Sequence, residues 1–330
     1  MFVDGVDVTS RLAPRLNALS LCEKRGGEAD QLEFTIDDSD GSVALPRKGV
    51  TVTLAMGYDN ATGTGQLVNK GSFKVDDYDW TGGPDTITIR ARAADFTGGI
   101  SVRRDGSWRD TTLGAVVGEL ASRNGLEPRI AGDLAAIALP LVAQSRESDL
   151  ALLRRLGHAH DAVATIKSGR LIFARIGAGV TAGGAPIPST TITRAAGDRP
   201  NYRSADRDSA EGSGAAATPR GVRARWRDTA GATTHTVLVG PATGARRLPR
   251  IYATEDAATR AAQAAYDRRS RKKAEFSIVL ATGRPELYPE RRVTLQGFKT
   301  GIDGPDWLIT EVTHQFGDGG FTTDLKLQTA

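Results

Sequence analysis

The 330-residue chain has one cysteine, two methionines, four histidines and few aromatics. Each scarcity excludes something. With Cys22 alone, an internal disulfide and cysteine-rich zinc or iron–sulfur sites are ruled out. The default role of Cys22 is a small, half-buried hydrophobe. No apolar run approaches the roughly 20 residues that cross a bilayer, so membrane insertion is not expected. The N-terminus has no basic start followed by an apolar stretch, so no signal peptide is expected. An excess of one charge is also lacking. The net charge is +4 with both signs interspersed, too small to argue for nucleic-acid binding. Gly-x-Ser-x-Gly, a phosphate loop and His-Glu-x-x-His are absent. No catalytic residue, cofactor or metal is therefore expected.

What is present is strand patterning. The length suits two or three domains. Over residues 1–100, Leu32, Phe34 and Ile36 alternate with Glu33, Thr35 and Asp37. Val50, Val52, Leu54 and Met56 alternate with Thr51, Thr53 and Ala55, and Ile87 and Ile89 with Thr86, Thr88 and Arg90. A period of two places the apolar set on one face of a half-buried antiparallel sheet. Turn signals at Asp59-Asn60 with Gly63 and Gly65, and at Gly82-Gly83-Pro84, separate the runs. Short strands at this spacing predict a barrel or sandwich.

The pattern recurs at the other end. Pro46, Val52-Thr53-Leu54 and Gly57-Tyr58 match Pro289, Val293-Thr294-Leu295 and Gly297-Phe298. Phe73-Lys74-Val75-Asp76-Asp77 matches Trp307-Leu308-Ile309-Thr310-Glu311. A third strand follows a Gly-Gly turn in both, Gly82-Gly83 before Thr86–Ile89 and Gly319-Gly320 before Thr323–Leu327. A chain with two similar β-domains can imitate two subunits of a symmetric ring, and a trimer of it would present six.

Residues 101–175 change period. Thr111-Thr112 can cap a helix whose Leu113, Val116, Val117 and Leu120 share one face, with Asn124-Gly125 as its stop. A second helix starts near Ser145 or Ser148, with Leu150, Leu153 and Leu156 as its buried stripe. Two short runs joined at Ser168-Gly169 read as a hairpin. Residues 176–219 are rich in Gly, Ala, Ser and Pro and read as a linker with a strand or two, and a mobile loop near 209–219. Residues 220–330 return to β, opening with Val222–Trp226. Thr254 caps an inserted helix, 254–273, whose small stripe is Ala257, Ala258, Ala261, Ala264 and Ala265.

Three segments carry a family resemblance. One runs from Trp307 to His314 and on through Gly319-Gly320-Phe321-Thr322-Thr323. The second comprises Thr111-Thr112-Leu113, Asn124-Gly125-Leu126, Gln144, Glu147–Leu150 and Leu153–Leu156. The third is Gly57-Tyr58, Gly71-Ser72-Phe73 and Val75-Asp76-Asp77. In this order they resemble the phage late control protein D family, hub proteins of contractile tail baseplates. The related spike proteins of type VI secretion continue into a β-needle, which is not expected here. The resemblance implies a fold that is mainly β with an α/β insert. Two tube-like antiparallel β-barrels, 1–100 and 220–330, flank a small α/β module at 101–175. It implies a homotrimer forming a pseudo-hexameric ring, with the tail tube or its adaptor, the central spike protein and other baseplate proteins as partners. DNA would be present only in transit through the lumen. The expected location is the virion's tail baseplate.

Several residues invite a sharper reading. His158, His160 and Asp161 form a His-x-His-Asp cluster, but i and i+2 on a helix diverge by about 200°, so a helix C-terminus explains them better than a metal. His314 reads as a structural hydrogen-bonding residue. Glu147 and Asp149 suit a helix N-terminus better than a hydrolytic carboxylate pair. Arg268, Arg269, Arg271, Lys272 and Lys273 are the densest basic run. They suit a solvated helix end, a contact with an acidic partner or the lining of a DNA channel. Trp80, Trp226 and Trp307 are expected in cores. Trp108, in a polar stretch, is the tryptophan expected to be exposed and to serve an interface. The competing function is a tail-associated protein that binds or degrades cell wall. Glycan binding by 111–175 would then be expected, although Phe173 is the only aromatic between 109 and 175.

Overall fold

The computed structural model describes residues 1–330 apart from 27, 59–66, 94–98, 168, 205–208, 212–217 and 229. The turn expected at Asp59-Asn60 with Gly63 and Gly65, Ser168 of the expected hairpin, and most of the loop expected near 209–219 lie outside the described residues.

The chain opens with β1 (Phe2–Val3), β2 (Val6–Asp7) and a short α1 (Thr9–Leu12). Then come β3 (Leu16–Lys24), β4 (Gln31–Asp37), β5 (Thr51–Met56), β6 (Val68–Thr81) and β7 (Thr86–Ala93). They pair in the order β3-β4-β7-β6-β5-β1-β2, all antiparallel. The alternation places side chains as expected. Leu32, Phe34, Ile36, Val52, Leu54, Ile87 and Ile89 close on Phe73 and Val75 in one core.

The middle of the chain carries β8 (Arg103–Thr112), α2 (Leu113–Arg123), β9 (Glu127–Ile130), α3 (Gly132–Ala135), β10 (Ala138–Ser148), α4 (Asp149–His160), β11 (Ala162–Lys167) and β12 (Arg170–Arg175). Thr112 caps α2, its hydroxyl accepting from the Ala115 N–H at 3.2 Å. Asn124 ends that helix and Gly125 takes φ +68°. Ser148 caps α4 in the same way, accepting from Ala151. The buried stripe of α4 is Leu152, Leu153 and Leu156, with Leu150 at its margin. The β11–β12 hairpin gains β9 as a parallel neighbour, and Phe173 is fully buried in the shared core. Sequence periodicity did not show the long β8–β10 ribbon. Most of its residues are exposed on both faces, so no apolar alternation marks it.

The last part carries β13 (Thr190–Thr193), β14 (Arg199–Ser204), β15 (Ser209–Glu211), β16 (Thr218–Pro219), β17 (Val222–Asp228), β18 (Thr233–Val239), β19 (Arg246–Tyr252), α5 (Glu255–Ser270), β20 (Ala274–Leu280), β21 (Arg292–Gln296), a short α6 (Thr300–Asp303), β22 (Asp306–Gly317) and β23 (Gly320–Thr329). β13 and β14 fall within the stretch read as a linker with a strand or two, and both are hydrogen-bonded into the C-terminal sheet, on β21 and β20. Ile192 is the only large side chain β13 buries. Among the described residues, β17 pairs only with β18 and β19. That small sheet and α5 enclose a separate core of Val222, Ala224, Ala258 and Ala262. Val222–Trp226 therefore belongs with the inserted helix, not with the sheet of β20–β23. The C-terminal sheet has its own core around Trp307, Phe276 and Leu325.

β22 also pairs with β3, so the two large β units form one continuous sheet. The fold is mainly β with an α/β insert. Among the described residues, neither unit closes into a hydrogen-bonded barrel.

Candidate assembly surface

The repeat seen in sequence is a repeat of hydrogen bonding. β22 pairs with β23 along one edge. Its other edge is shared: Val293 of β21 faces Trp307, and β3 takes over from Glu311 to Gly317. β6 has the same plan. β7 holds one edge, and on the other Val52 of β5 faces Phe73. Both long strands slip register at the same step, between Val75 and Asp77 and between Ile309 and Glu311. A bulge of one residue bends and twists a strand. Asp76 and Thr310 therefore turn equivalent strands at equivalent points.

Where β3 meets β22, buried charges gather. Glu23 Oε2 lies 2.6 Å from Lys70 Nζ and 3.4 Å from His314 Nε2. Lys167 pairs with Asp30 and stands 4.0 Å from Glu23. Burial alone would raise the Glu23 carboxyl. His314, Lys70 and Lys167 outweigh it and bring the pKa down to about 2. Burial lowers His314 despite Glu23 beside it, so the imidazole is neutral at pH 7. Its Nδ1 is 3.0 Å from the Thr323 hydroxyl. Asp30 is raised by burial against the pull of Lys167. A second group holds the neighbouring segments. Arg25 pairs with Glu290 at 2.5 Å, and Glu290 also accepts from the Gly177 N–H at 2.9 Å. Removing one partner from such a buried pair leaves an uncompensated charge, at a cost of roughly 3–5 kcal/mol. These groups fix the junction of the two β units and the α/β module. Sequence reading missed Glu23, although a signal existed: it continues the inward alternation Leu19, Leu21, Glu23.

The candidate residues are distributed differently from expectation. Trp108 is half-buried against the α/β core, not exposed. Its indole N–H donates to Glu119 at 2.7 Å, and Arg123 sits 5.9 Å from its ring. The exposed tryptophan is Trp80, at 55%. The basic run does not simply point to solvent. Arg271 is buried in an ion pair with Asp161, and Arg268 donates to the His158 carbonyl, so both fasten the end of α5 to the end of α4. Arg269 and Lys273 are partly buried, and Lys272 is exposed. His158 and His160 flank this contact, and burial and nearby arginines lower His160 to about 4. Asp161 ends α4 in the left-handed region, φ 52°. Asp149 is fully buried and accepts from Arg123, Asn124 and Gln144 at 2.8–3.2 Å, while Glu147 pairs with Arg155. These carboxylates are occupied in structural bonds. Among the described residues, no group of three or more His, Cys, Asp or Glu is arranged to hold a metal ion.

The model of one protein family, phage tail baseplate hub (GPD), matches residues 32–320. The chain is 40% identical to the probable baseplate hub protein of Escherichia phage P2, covering 99% of this chain and 92% of that protein. It is 38% identical to the probable baseplate hub protein of Escherichia phage 186, covering 99% and 91%. Among solved structures, the 43 kDa tail protein of prophage MuSo2 from Shewanella oneidensis superposes with a TM-score of 0.63. That match has 16% identity and covers 94% of each chain, which speaks for the fold alone.

Proposed function

The chain belongs to the phage tail baseplate hub family, and on that premise we propose that three copies form a pseudo-hexameric ring joining the six-fold tail tube to the three-fold central spike. The protein is a structural component of the virion's tail baseplate, in a family that is not one of enzymes. The observation that carries the ring is the shared register of the two β units, bulge included. Three chains with two such units present six similar surfaces. Six-fold matching to a tube gives a physical reason for the duplication, because each tube subunit then meets nearly the same strands. The remaining, dissimilar parts are free to make three-fold contacts with a spike.

In this reading the first tube-like domain covers 1–100 and the α/β module 101–175. The second tube-like domain is built from β13, β14 and β20–β23, with 205–273 inserted. The mechanism is geometric. The ring keeps a lumen that the spike plugs until ejection, when DNA passes through it.

Electron microscopy of the chain co-expressed with the spike protein of the same tail tests this. Class averages with three-fold symmetry, six lobes and a central hole are expected. A compact monomer that ignores the spike overturns the reading.

A further inference from the structure

The junction inside one chain has two empty counterparts on its surface. Within the chain, β22 from Glu311 to Gly317 pairs with β3, with Thr313 opposite Cys22 and His314 opposite Leu21. The repeat maps β22 onto β6, because Val293 faces Trp307 as Val52 faces Phe73 and the bulges coincide. It maps β3 onto β14 as well. Leu21 faces Leu32 of β4, and Tyr202 faces Phe276 of β20, while Leu32 and Phe276 face Ala91 and Leu327 of the equivalent strands β7 and β23.

The two counterparts are both unpaired edges among the described residues. β5 leaves β6 after Lys74, so Asp77–Thr81 have β7 on one side and no strand on the other. β14 pairs only with β20. Exposure follows. His314 and Leu21 are fully buried at the internal junction, whereas Trp80, at the position of His314, is 55% exposed. Unpaired edges of this kind are normally blunted or covered.

We propose that the edge of β6 at Tyr78–Thr81 pairs antiparallel with β14 at Asn201–Ser204 of a second copy of this chain, in the register of the internal β22–β3 junction. Asp79 then faces Arg203 and Trp80 faces Tyr202. Both pairs suit cross-strand neighbours: opposite charges in one, two aromatics in the other. The contact is heterologous, so it generates a closed ring when the rotation closes. It joins protomers through the same hydrogen bonds that join the two units within one, making six near-equivalent junctions in a trimer. The inference rests on the ring reading above and adds the strands that close it.

Cross-linking the full chain with a short dithiol-specific reagent, alongside its mass by light scattering, tests the register. The variant Asp79→Cys/Arg203→Cys, with Cys22→Ser to remove background, is expected to give chains linked in twos and threes. Thr313→Cys with native Cys22 is the internal equivalent and calibrates the reagent by linking within one chain. A trimer that yields no inter-chain link overturns the strand assignment and leaves the ring standing. A monomer, alone and with the spike protein, overturns the ring and the assignment together. Arg203→Asp places like charges opposite each other at three junctions, and a fall in association of at least about tenfold is expected, regained on adding Asp79→Lys. Because both positions are exposed, the folded monomer is retained, and unchanged association in Arg203→Asp counts against the pairing.

Discussion

The two β units agree where strands face each other and differ where strands end. Val52 opposite Phe73 and Val293 opposite Trp307 occupy the same step, and a bulge follows each at the same distance. The connections do not agree. β3 reaches β4 through residues 25–30, whereas the equivalent step from β14 to β20 takes 205–273 and includes a three-stranded sheet and α5. Closing a longer loop costs only about 0.6 kcal/mol per doubling, so the sheet tolerates the insertion. Cross-strand registry is therefore what the fold constrains, and connections and rims are where each copy took on its own task.

The largest expected effect comes from breaking the shared step itself. Phe73 and Trp307 are almost completely buried, and the Trp307 indole N–H donates to the Ile302 carbonyl at 2.9 Å. Phe73→Ala and Trp307→Ala should each cost roughly 3–5 kcal/mol, the usual range for truncating a buried aromatic. Denaturant unfolding of each variant measures this. A loss under about 1 kcal/mol at either position would show that the two steps are not equivalent in packing. Because the units share one sheet, each variant should also shift the unfolding of the other half.

The second test sharpens a difference. Glu23 holds Lys70 and His314 at the internal junction, while the equivalent position on β14 is the exposed Ser204. Glu23→Gln should cost about 3 kcal/mol at pH 7, since Lys70 is left buried and uncompensated. Acid should act in two stages. His314 and His160 have lowered pKa values in the fold, so they favour it fully above about 6.5. Below that the unfolded chain binds protons first, and stability falls, for His160 until about pH 4. Glu23, lowered from 4.5 to about 2, contributes above 4.5 and loses its share as pH falls toward 2. Unfolding measured from pH 8 to 2.5 checks both stages; Glu23→Gln should flatten the lower one and enlarge the upper one, because the carboxylate that opposes the lowering of His314 is gone.

What the sequence showed and hid follows from the same physics. Strands half-buried on one face advertise themselves by a period of two, so Leu32–Ile36, Val52–Met56 and Ile87–Ile89 were legible, and the Gly-Gly turns revealed the repeat. Caps were legible because Thr112, Ser148 and Thr254 stand before periodic stretches. The β8–β10 ribbon was not, because it buries little on either face. The role of the basic run was hidden for a different reason. Arg271 is neutralised by Asp161, 110 residues away, and no local pattern records that partner. Trp108 looked exposed because its neighbours are polar, yet Glu119 and Arg123, about two and three turns into α2, wrap it. The bulges at Asp76 and Thr310 left no mark except that the two copies align through them without a gap.

The smallest expected effect separates what folding needs from what assembly needs. His314 and Trp80 stand at one position of the repeat. His314 is fully buried, bonded to Thr323 and faced by Leu21 of β3. Replacing it with Ala removes a buried ring and leaves Glu23 with one partner fewer, a loss of about 2 kcal/mol or more in the isolated chain. Trp80 faces Ile87 of β7, has no strand on its other side among the described residues, and stands 55% exposed. Trp80→Ala should therefore leave the unfolding free energy within about 0.5 kcal/mol of the parent when measured at concentrations where the chain is monomeric. A large loss in that state would mean that Trp80 already serves the fold of its own unit, and the rim of β6 would no longer differ in kind from the rim of β22. A small loss in the monomer, with weakened self-association at higher concentration, is the pattern expected of a side chain whose packing partner belongs to another copy.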